Sequence, residues 1–235
     1  MSTNEYTPAS AMVVVAHPDD AEFMVAGTVA GWAKSGSEIT YVIIPRGDQG
    51  SDDPEMTPPR LTEIREAEQR AACAVLGVKN AVFMGYEDGY LQPTLQLRRD
   101  ITRLIRQYRP EVVMTFDPTN RIFSDTYVNH PDHRAAGDAT LDAVFPSARD
   151  RLTFPELLTE NLLPHKVAQI WLGGTKEPNL WIDISGTMAL KRQALGAHPS
   201  QFGEDIIGFV EEMSRGSATD HPFEYAEAFR RITLE

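Results

Sequence analysis

Apolar residues arrive along this chain in two kinds of run. The first kind is short, continuous and rich in β-branched side chains. It comprises Ala11 to Ala16 (AMVVVA), Glu38 to Pro45 (EITYVIIP), Asn80 to Met84 and Val112 to Phe116 (VVMTF). Runs of this type predict strands buried on both faces of a sheet. Between them lie longer stretches with helical spacing: Glu22 to Lys34, Leu61 to Leu76, Leu95 to Tyr108 and His133 to Val144. Gly36 and Gly77 punctuate the ends of the first two, and Arg109-Pro110 ends the third. The segment from Gly47 to Pro59 is rich in Pro, Gly and acidic residues and predicts a loop. Val167 to Leu172 and Leu180 to Ile184 predict two further strands, and Met188 to Ala197 a last helix.

Strands alternating with helices predict right-handed βαβ crossovers. The expected fold is therefore a doubly wound, Rossmann-like α/β domain: a mostly parallel sheet with helices on both faces. No composition shift marks a linker, so the 235 residues read as a single domain. Residues 203–235 carry no clear strand pattern and are expected to form a helical or irregular appendage.

Composition narrows the function classes. The chain carries 22 Lys and Arg against 34 Asp and Glu, a formal net charge of −12. Such a chain lacks the cations that phosphate neutralisation requires, which argues against nucleic acid and anionic membrane surfaces as partners. No apolar stretch approaches the roughly 18 residues of a membrane span. The N-terminus has no signal-peptide pattern. The expectation is a cytoplasmic protein with a small-molecule substrate; the oligomeric state stays open, a homo-oligomer included. The single cysteine, Cys73, lies in an apolar helical stretch and reads as core, so neither a disulfide nor a cysteine-based zinc site is expected.

In open parallel sheets, ligands bind beyond the carboxyl ends of the strands where strand order reverses. After the first strand comes His17-Pro18-Asp19-Asp20, and in the loop after the fourth comes His130-Pro131-Asp132-His133. In the common doubly wound order these strands are neighbours, so two clusters a hundred residues apart in sequence would meet in one crevice. Each has His-Pro-Asp followed by a potential ligand three residues after the first His. Pro suits the first helical position, and residues three apart share one face of the first turn. His17 and Asp20 can thus aim at one centre, as can His130 and His133. Imidazoles with a carboxylate suit zinc or another borderline divalent ion. Asp19 and Asp20 are adjacent and point apart, so one can bind metal while the other accepts a proton from activated water. The chemistry indicated is metal-assisted hydrolysis. A lone His-Pro-Asp is usually a helix cap; two of them after buried strands are not readily explained that way. Spacing alone does not decide whether His130 or His133 binds metal.

At these residues the sequence resembles the LmbE-like, or PIG-L, deacetylase family. That family includes N-acetylglucosaminyl-phosphatidylinositol de-N-acetylases, the mycothiol-pathway deacetylase and conjugate amidase, and antibiotic-tailoring deacetylases. Besides the two clusters, the resemblance rests on Arg46-Gly47-Asp48-Gln49-Gly50-Ser51, Arg65-Glu66-Ala67-Glu68 with Leu76-Gly77-Val78, Arg109-Pro110-Glu111-Val112-Val113 and His198-Pro199-Ser200-Gln201. It implies one zinc ion per chain, or another divalent ion such as Fe2+, held by His17, Asp20 and His133. It implies Asp19 as general base and His130 as the electrophilic or acid histidine, oriented and charged by Asp132. The implied reaction removes an N-acyl, usually N-acetyl, group from an amino sugar or its conjugate. A metal-dependent phosphoesterase and a non-catalytic metal- or sugar-binding module are the competing readings.

Four further residues are substrate-site candidates. Arg65 matches a family substrate-binding arginine, with an ion pair to Glu68 as the alternative. Asp88, in Asp88-Gly89-Tyr90 after the third strand, either lines the sugar pocket or simply makes a turn. Some family members carry a Tyr two residues before the electrophilic His; here that position is Val128, and Tyr127 stands one residue further away. His198 is placed near the site by family analogy, or ends a helix before Pro199. Many members also have an acidic residue where this chain has Ala21; Glu22 is the neighbouring acid.

Overall fold

The computed structural model describes residues 6–203 and 205–235. Four parallel strands come first: β1 (Ser10–Val15), β2 (Glu38–Pro45), β3 (Asn80–Tyr86) and β4 (Val112–Phe116). They are joined by α1 (Asp20–Met24) and α2 (Ala26–Lys34), then α3 (Pro58–Leu76), then α4 (Leu95–Tyr108). A two-stranded hairpin follows, β5 (Ile122–Ser124) with β6 (Tyr127–Val128), and then α5 (Pro131–Asp142) and the short α6 (Glu156–Thr159). The chain ends with β7 (Gln169–Gly173), β8 (Leu180–Asp183), α7 (Met188–Leu195), α8 (Asp205–Ser217) and β9 (Ala226–Thr233). The main sheet has the order β3-β2-β1-β4-β7-β9-β8. All its pairings are parallel except those of β9, which runs antiparallel to both neighbours.

The alternation of side chains along a strand divides the core in two. Val13 and Val15 of β1 point into one layer with Val29 and Trp32 of α2, Cys73 and Leu76 of α3, and Ala194 of α7. Met12 and Val14 point the opposite way, toward Leu97, Ile101 and Ile105 of α4 and Ala135, Ala136 and Ala139 of α5. Helices thus cover both faces, which is the doubly wound arrangement. The reversal of strand order falls between β1 and β4, which pair directly through Ala11–Val112, Met12–Val113 and Val13–Met114.

Three departures from the sequence reading have physical causes. The helix expected over 22–34 starts two residues earlier and breaks at Val25, whose φ of −137° is not helical. The third helix begins at Pro58, because two prolines are well suited to the first turn. The third departure is a correction: residues 203–235 are not an appendage. They form α8 and then β9, which lies inside the sheet between β7 and β8. Glu227 of β9 accepts hydrogen bonds from the Gly27 and Thr28 amides at the start of α2, at 2.9 and 2.8 Å. The same carboxylate receives the buried Lys191 ammonium at 2.6 Å. Among the described residues no helix is long and apolar enough to cross a membrane.

Candidate metal centre and active site

The β1 strand delivers His17 to the carboxyl edge of the sheet, and α1 starts three residues later at Asp20. The turn is tight: the His17 amide donates to Asp20 Oδ2 at 2.6 Å. Between them Asp19 takes φ 104°, ψ −32°, a costly conformation for a residue with a Cβ. On the other side of the switch point His130 caps α5. Its Nδ1 accepts the Asp132 amide at 3.2 Å, and Pro131 fills the first helical position. Because a backbone N–H can only donate, Nδ1 is an acceptor and a neutral His130 carries its proton on Nε2.

The structure brings both clusters together. Asp20 lies between two imidazoles, with Oδ2 3.4 Å from His17 Nδ1 and Oδ1 3.1 Å from His133 Nε2. One ring nitrogen from each of His17, His130 and His133 lies within 4.8 Å of the others, and so do donor atoms of His17, Asp88 and Asp132. His17 Nε2 is buried, 3.0 Å from Asp88 Oδ1 and 3.5 Å from Asp132 Oδ2, yet has no aligned hydrogen bond. The Phe116 ring stacks on His133 at 4.2 Å, nearly parallel. Converging imidazoles and a buried carboxylate fit a divalent ion of the zinc type.

Asp19 and Asp20 do point apart, into different electrostatic settings. Burial favours the neutral acid at Asp20, but the His133 and His17 imidazoles outweigh it and hold its pKa well below the carboxylate range. Burial and then the Asp20 charge push Asp19 up to about 7, against Arg65, His198 and His17. Burial also opposes protonation of His17, but Asp132, Asp20 and Asp88 together hold its pKa well above the histidine range. Two carboxylates one residue apart are therefore driven in opposite directions, the pattern that separates a ligand from a base.

Several expectations about the surrounding residues need correcting. The Asp132 carboxylate does not pair with His130. It accepts the Gly89 and Leu91 amides at 2.8 and 3.2 Å and approaches His17; only the Asp132 backbone touches His130. Burial, followed by His17 and His133, lowers the His130 pKa, and Asp132 offsets this only in part. The surroundings of His130 thus disfavour its charged form. Arg65 is no free substrate ligand. It is buried, with Nη1 on the Gly47 carbonyl and Nη2 on the Pro18 carbonyl and on Asp19 Oδ2, at 2.8, 2.8 and 2.9 Å. It does not pair with Glu68 either, because Glu68 accepts from the amide and hydroxyl of Ser200. His198 is fully buried against Glu22 at 3.3 Å and presents no face to a ligand. Asp88 is buried beside His17, and Tyr127 is half-exposed on the β5–β6 hairpin.

Sequence reasoning passed over Gln69 and Asn129. Gln69 is one helical turn beyond Arg65 on α3, so both face the β1–α1 turn. Its Oε1 accepts the Asp19 amide at 2.9 Å, and its Nε2 donates to Glu22 at 3.0 Å. Asn129 is buried just before the second cluster and contacts His133. The i+4 spacing from Arg65 was an available signal for Gln69; Asn129 offered none.

Comparison with known proteins agrees with this site. The family described as PIG-L, GlcNAc-PI de-N-acetylase, matches residues 12–144, a segment that contains both clusters. The chain belongs to the PIG-L family. A diacetylchitobiose deacetylase of Thermococcus kodakarensis is 31% identical over 222 residues, covering 92% of this chain and 80% of the relative. A probable N-acetyl-alpha-D-glucosaminyl L-malate deacetylase 2 of Bacillus anthracis is 30% identical over 210 residues, 87% of each chain. The solved N,N'-diacetylchitobiose deacetylase of Pyrococcus horikoshii, complexed with its inhibitor MPG, superposes with a TM-score of 0.89 at 28% identity. That likeness covers 96% of this chain and 84% of the other. This PIG-L protein therefore shares its overall architecture with that deacetylase. The His198–Gln201 motif falls outside the matched segment; here Gln201 donates to the Gly50 carbonyl at 3.2 Å.

Proposed function

We propose that this protein is a zinc-dependent N-deacetylase that hydrolyses the acetamide of a small amino sugar or amino-sugar conjugate. The observation that carries the reading is Asp19: a buried carboxylate with its pKa raised to about 7, held beside an imidazole–Asp20–imidazole cluster at the switch point of the sheet. A site that merely bound metal would have no use for such a base, whereas hydrolysis near neutral pH requires one. The relatives named as deacetylases of diacetylchitobiose and of N-acetylglucosaminyl malate support the substrate class.

His17, Asp20 and His133 would hold the ion, zinc or another divalent ion such as Fe2+. Bound there, it would polarise the amide carbonyl and make water acidic enough to lose a proton near neutral pH. The chain's own residues supply the proton traffic. Asp19 takes the proton of the attacking water and hands it to the leaving nitrogen as the C–N bond breaks, so one carboxyl serves as base and then as acid. His130 donates its Nε2–H to the carbonyl oxygen as negative charge grows there. Arg65 and Gln69 hold Asp19 by its side chain and its backbone. Tyr127, on the hairpin that leads into His130, meets the part of the substrate that remains near solvent.

The test is direct. Zinc-loaded protein is incubated with N-acetylglucosamine, N,N'-diacetylchitobiose and N-acetylglucosaminyl conjugates, and free acetate is measured. Acetate release that a chelator abolishes and zinc restores is the expected result. Release of phosphate from phosphate esters, with no acetate from any acetamide, would replace this reading with the phosphoesterase one.

A further inference from the structure

Asn129 is buried between the β5–β6 hairpin and the start of α5, and every polar atom of it is engaged. Its backbone amide donates to the Arg121 carbonyl at 2.8 Å, and its carbonyl accepts from Arg134 at 2.6 Å. Its side-chain Nδ2 donates to the Asn120 carbonyl at 2.7 Å. Its Oδ1 lies 3.2 Å from His133 Nδ1.

These contacts fix which way the Asn129 amide points. The Asn120 carbonyl can only accept, so the amide nitrogen of Asn129 must face it. The amide oxygen therefore faces His133, and it too can only accept. Nδ1 of His133 must then carry a hydrogen, which leaves Nε2 as the nitrogen that can offer a lone pair to a metal. Without a metal Nε2 stands 3.1 Å from Asp20 Oδ1, which can only accept, so the ring there meets an acceptor at each nitrogen. At His130 the opposite holds, because the Asp132 amide occupies Nδ1 and puts the hydrogen on Nε2. Two histidines three residues apart on one helical turn thus have Nδ1 in opposite roles, a donor at His133 and an acceptor at His130.

We propose that Asn129 is a positioning residue that fixes the tautomer of His133 and presents its Nε2 lone pair to the metal position. This rests on the reading of His133 as a ligand given above. It also gives a structural cause for the division between the two histidines: His133 is set to donate an electron pair, and His130 to donate a hydrogen. Outer contacts of this kind typically affect metal affinity by about 10–100-fold. Because Asn129 closes the base of the hairpin through Asn120 and Arg121, the same residue ties the Tyr127 lip to the ligand.

The experiment uses full-length protein carrying 15N-labelled histidine. In the zinc-loaded protein, long-range 1H–15N correlations should show His133 protonated at Nδ1, with Nε2 carrying the metal, and His130 protonated at Nε2. In parallel, zinc affinity is measured by competition with a chromophoric chelator. Asn129→Leu, which removes the acceptor, should weaken zinc binding by about 10–100-fold. Asn129→Asp, which keeps an acceptor toward Nδ1, should restore most of it. At saturating zinc, Asn129→Leu should recover most of the wild-type kcat, which a collapsed site would not. A zinc-loaded wild-type His133 without a hydrogen on Nδ1, or unchanged zinc affinity in a folded Asn129→Leu variant, overturns the proposal. The wild-type spectrum decides even where the leucine variant does not fold. A protein with the expected tautomers that binds zinc yet cleaves no acetamide would instead count against the deacetylase reading.

Discussion

Arg65 Nη2 stands 2.9 Å from Asp19 Oδ2 and 2.8 Å from the Pro18 carbonyl, so one guanidinium grips both the side chain and the backbone of the strained turn. One turn along the same helix, Gln69 accepts the Asp19 amide. The carboxylate assigned as base is therefore held at both ends by α3. This matters because Asp19 adopts a φ of 104° that no local preference would maintain.

Replacing Asp19 by Asn keeps its shape and removes its basicity. Asp19→Asn should retain metal, because Asp20 and not Asp19 faces the imidazoles, and should lower kcat by about 10²–10⁴-fold. Metal analysis alongside steady-state kinetics checks both halves. Loss of metal in Asp19→Asn with retention in Asp20→Asn would exchange the two roles.

Arg65→Met should act on the pH profile. The Arg65 charge lowers the Asp19 pKa against burial and Asp20, so removing it raises that pKa. The acid limb of kcat, where Asp19 takes up a proton and ceases to be a base, should move to higher pH. A bound cation shifts both enzymes downward, so the wild-type-to-variant difference is the quantity to read. The variant should also be less stable, since the Gly47 and Pro18 carbonyls lose their buried donor.

The parallel half of the fold was legible because its strands are unbroken β-branched runs and its helices are well punctuated. Leu95–Tyr108 and Val112–Phe116 coincide with their predicted bounds. The two His-Pro-Asp clusters were legible for a related reason: they follow those strands, and sheet topology then places them. β9 was not. Its sequence AEAFRRIT has Ala and Arg where strands favour branched residues, and neighbours on both sides supply its pairing. The roles of Arg65, Asp132 and His198 were misjudged because each depends on which buried partner a side chain meets. Residue spacing does not encode that.

Cys73 gives a prediction independent of the site. Burial, helped by the Glu22 charge and opposed by Gln69 and Arg70, pushes its thiol up to about 12. An unfolded cysteine titrates near 8.5. Between these values the unfolded chain has lost a proton that the folded one keeps, so this group's contribution to stability diminishes as pH rises through that window. Native protein at pH 8.5 should resist alkylation by iodoacetamide, and urea-unfolded protein should react fully. Equal labelling rates in the two states would show that Cys73 is not in the core.

The buried Lys191–Glu227 pair tests whether β9 belongs to the fold. Lys191 Nζ donates to Glu227 and to the Phe23 carbonyl, at 2.6 and 2.7 Å, while Glu227 caps two α2 amides. Glu227→Ala leaves a buried ammonium without its counter-charge and two amides without acceptors. Breaking a buried pair in this way typically costs about 3–5 kcal/mol. Urea denaturation of the metal-free protein should show a loss of that size. An effect below about 0.5 kcal/mol, the range of ordinary surface substitutions, would mean that the strand contributes little.

The two histidines of the second cluster should separate cleanly. His133→Ala removes an imidazole that faces Asp20, so metal affinity should fall and activity should partly return at high zinc. His130→Ala should leave zinc binding intact and lower kcat by about 10²–10³-fold, the usual loss for one donor to a developing oxyanion. The pH profile adds a sharper criterion. Burial and the neighbouring imidazoles lower the His130 pKa, and the Asp132 amide already occupies its Nδ1. His130 then works as a neutral Nε2–H donor throughout the neutral and alkaline range, so its titration imposes no alkaline limb. His130→Ala should accordingly scale the profile down without moving its alkaline side. If the wild-type rate falls at alkaline pH and that fall disappears in His130→Ala, His130 acts as an imidazolium instead. The carboxylates near it would then have to outweigh its burial in the working enzyme.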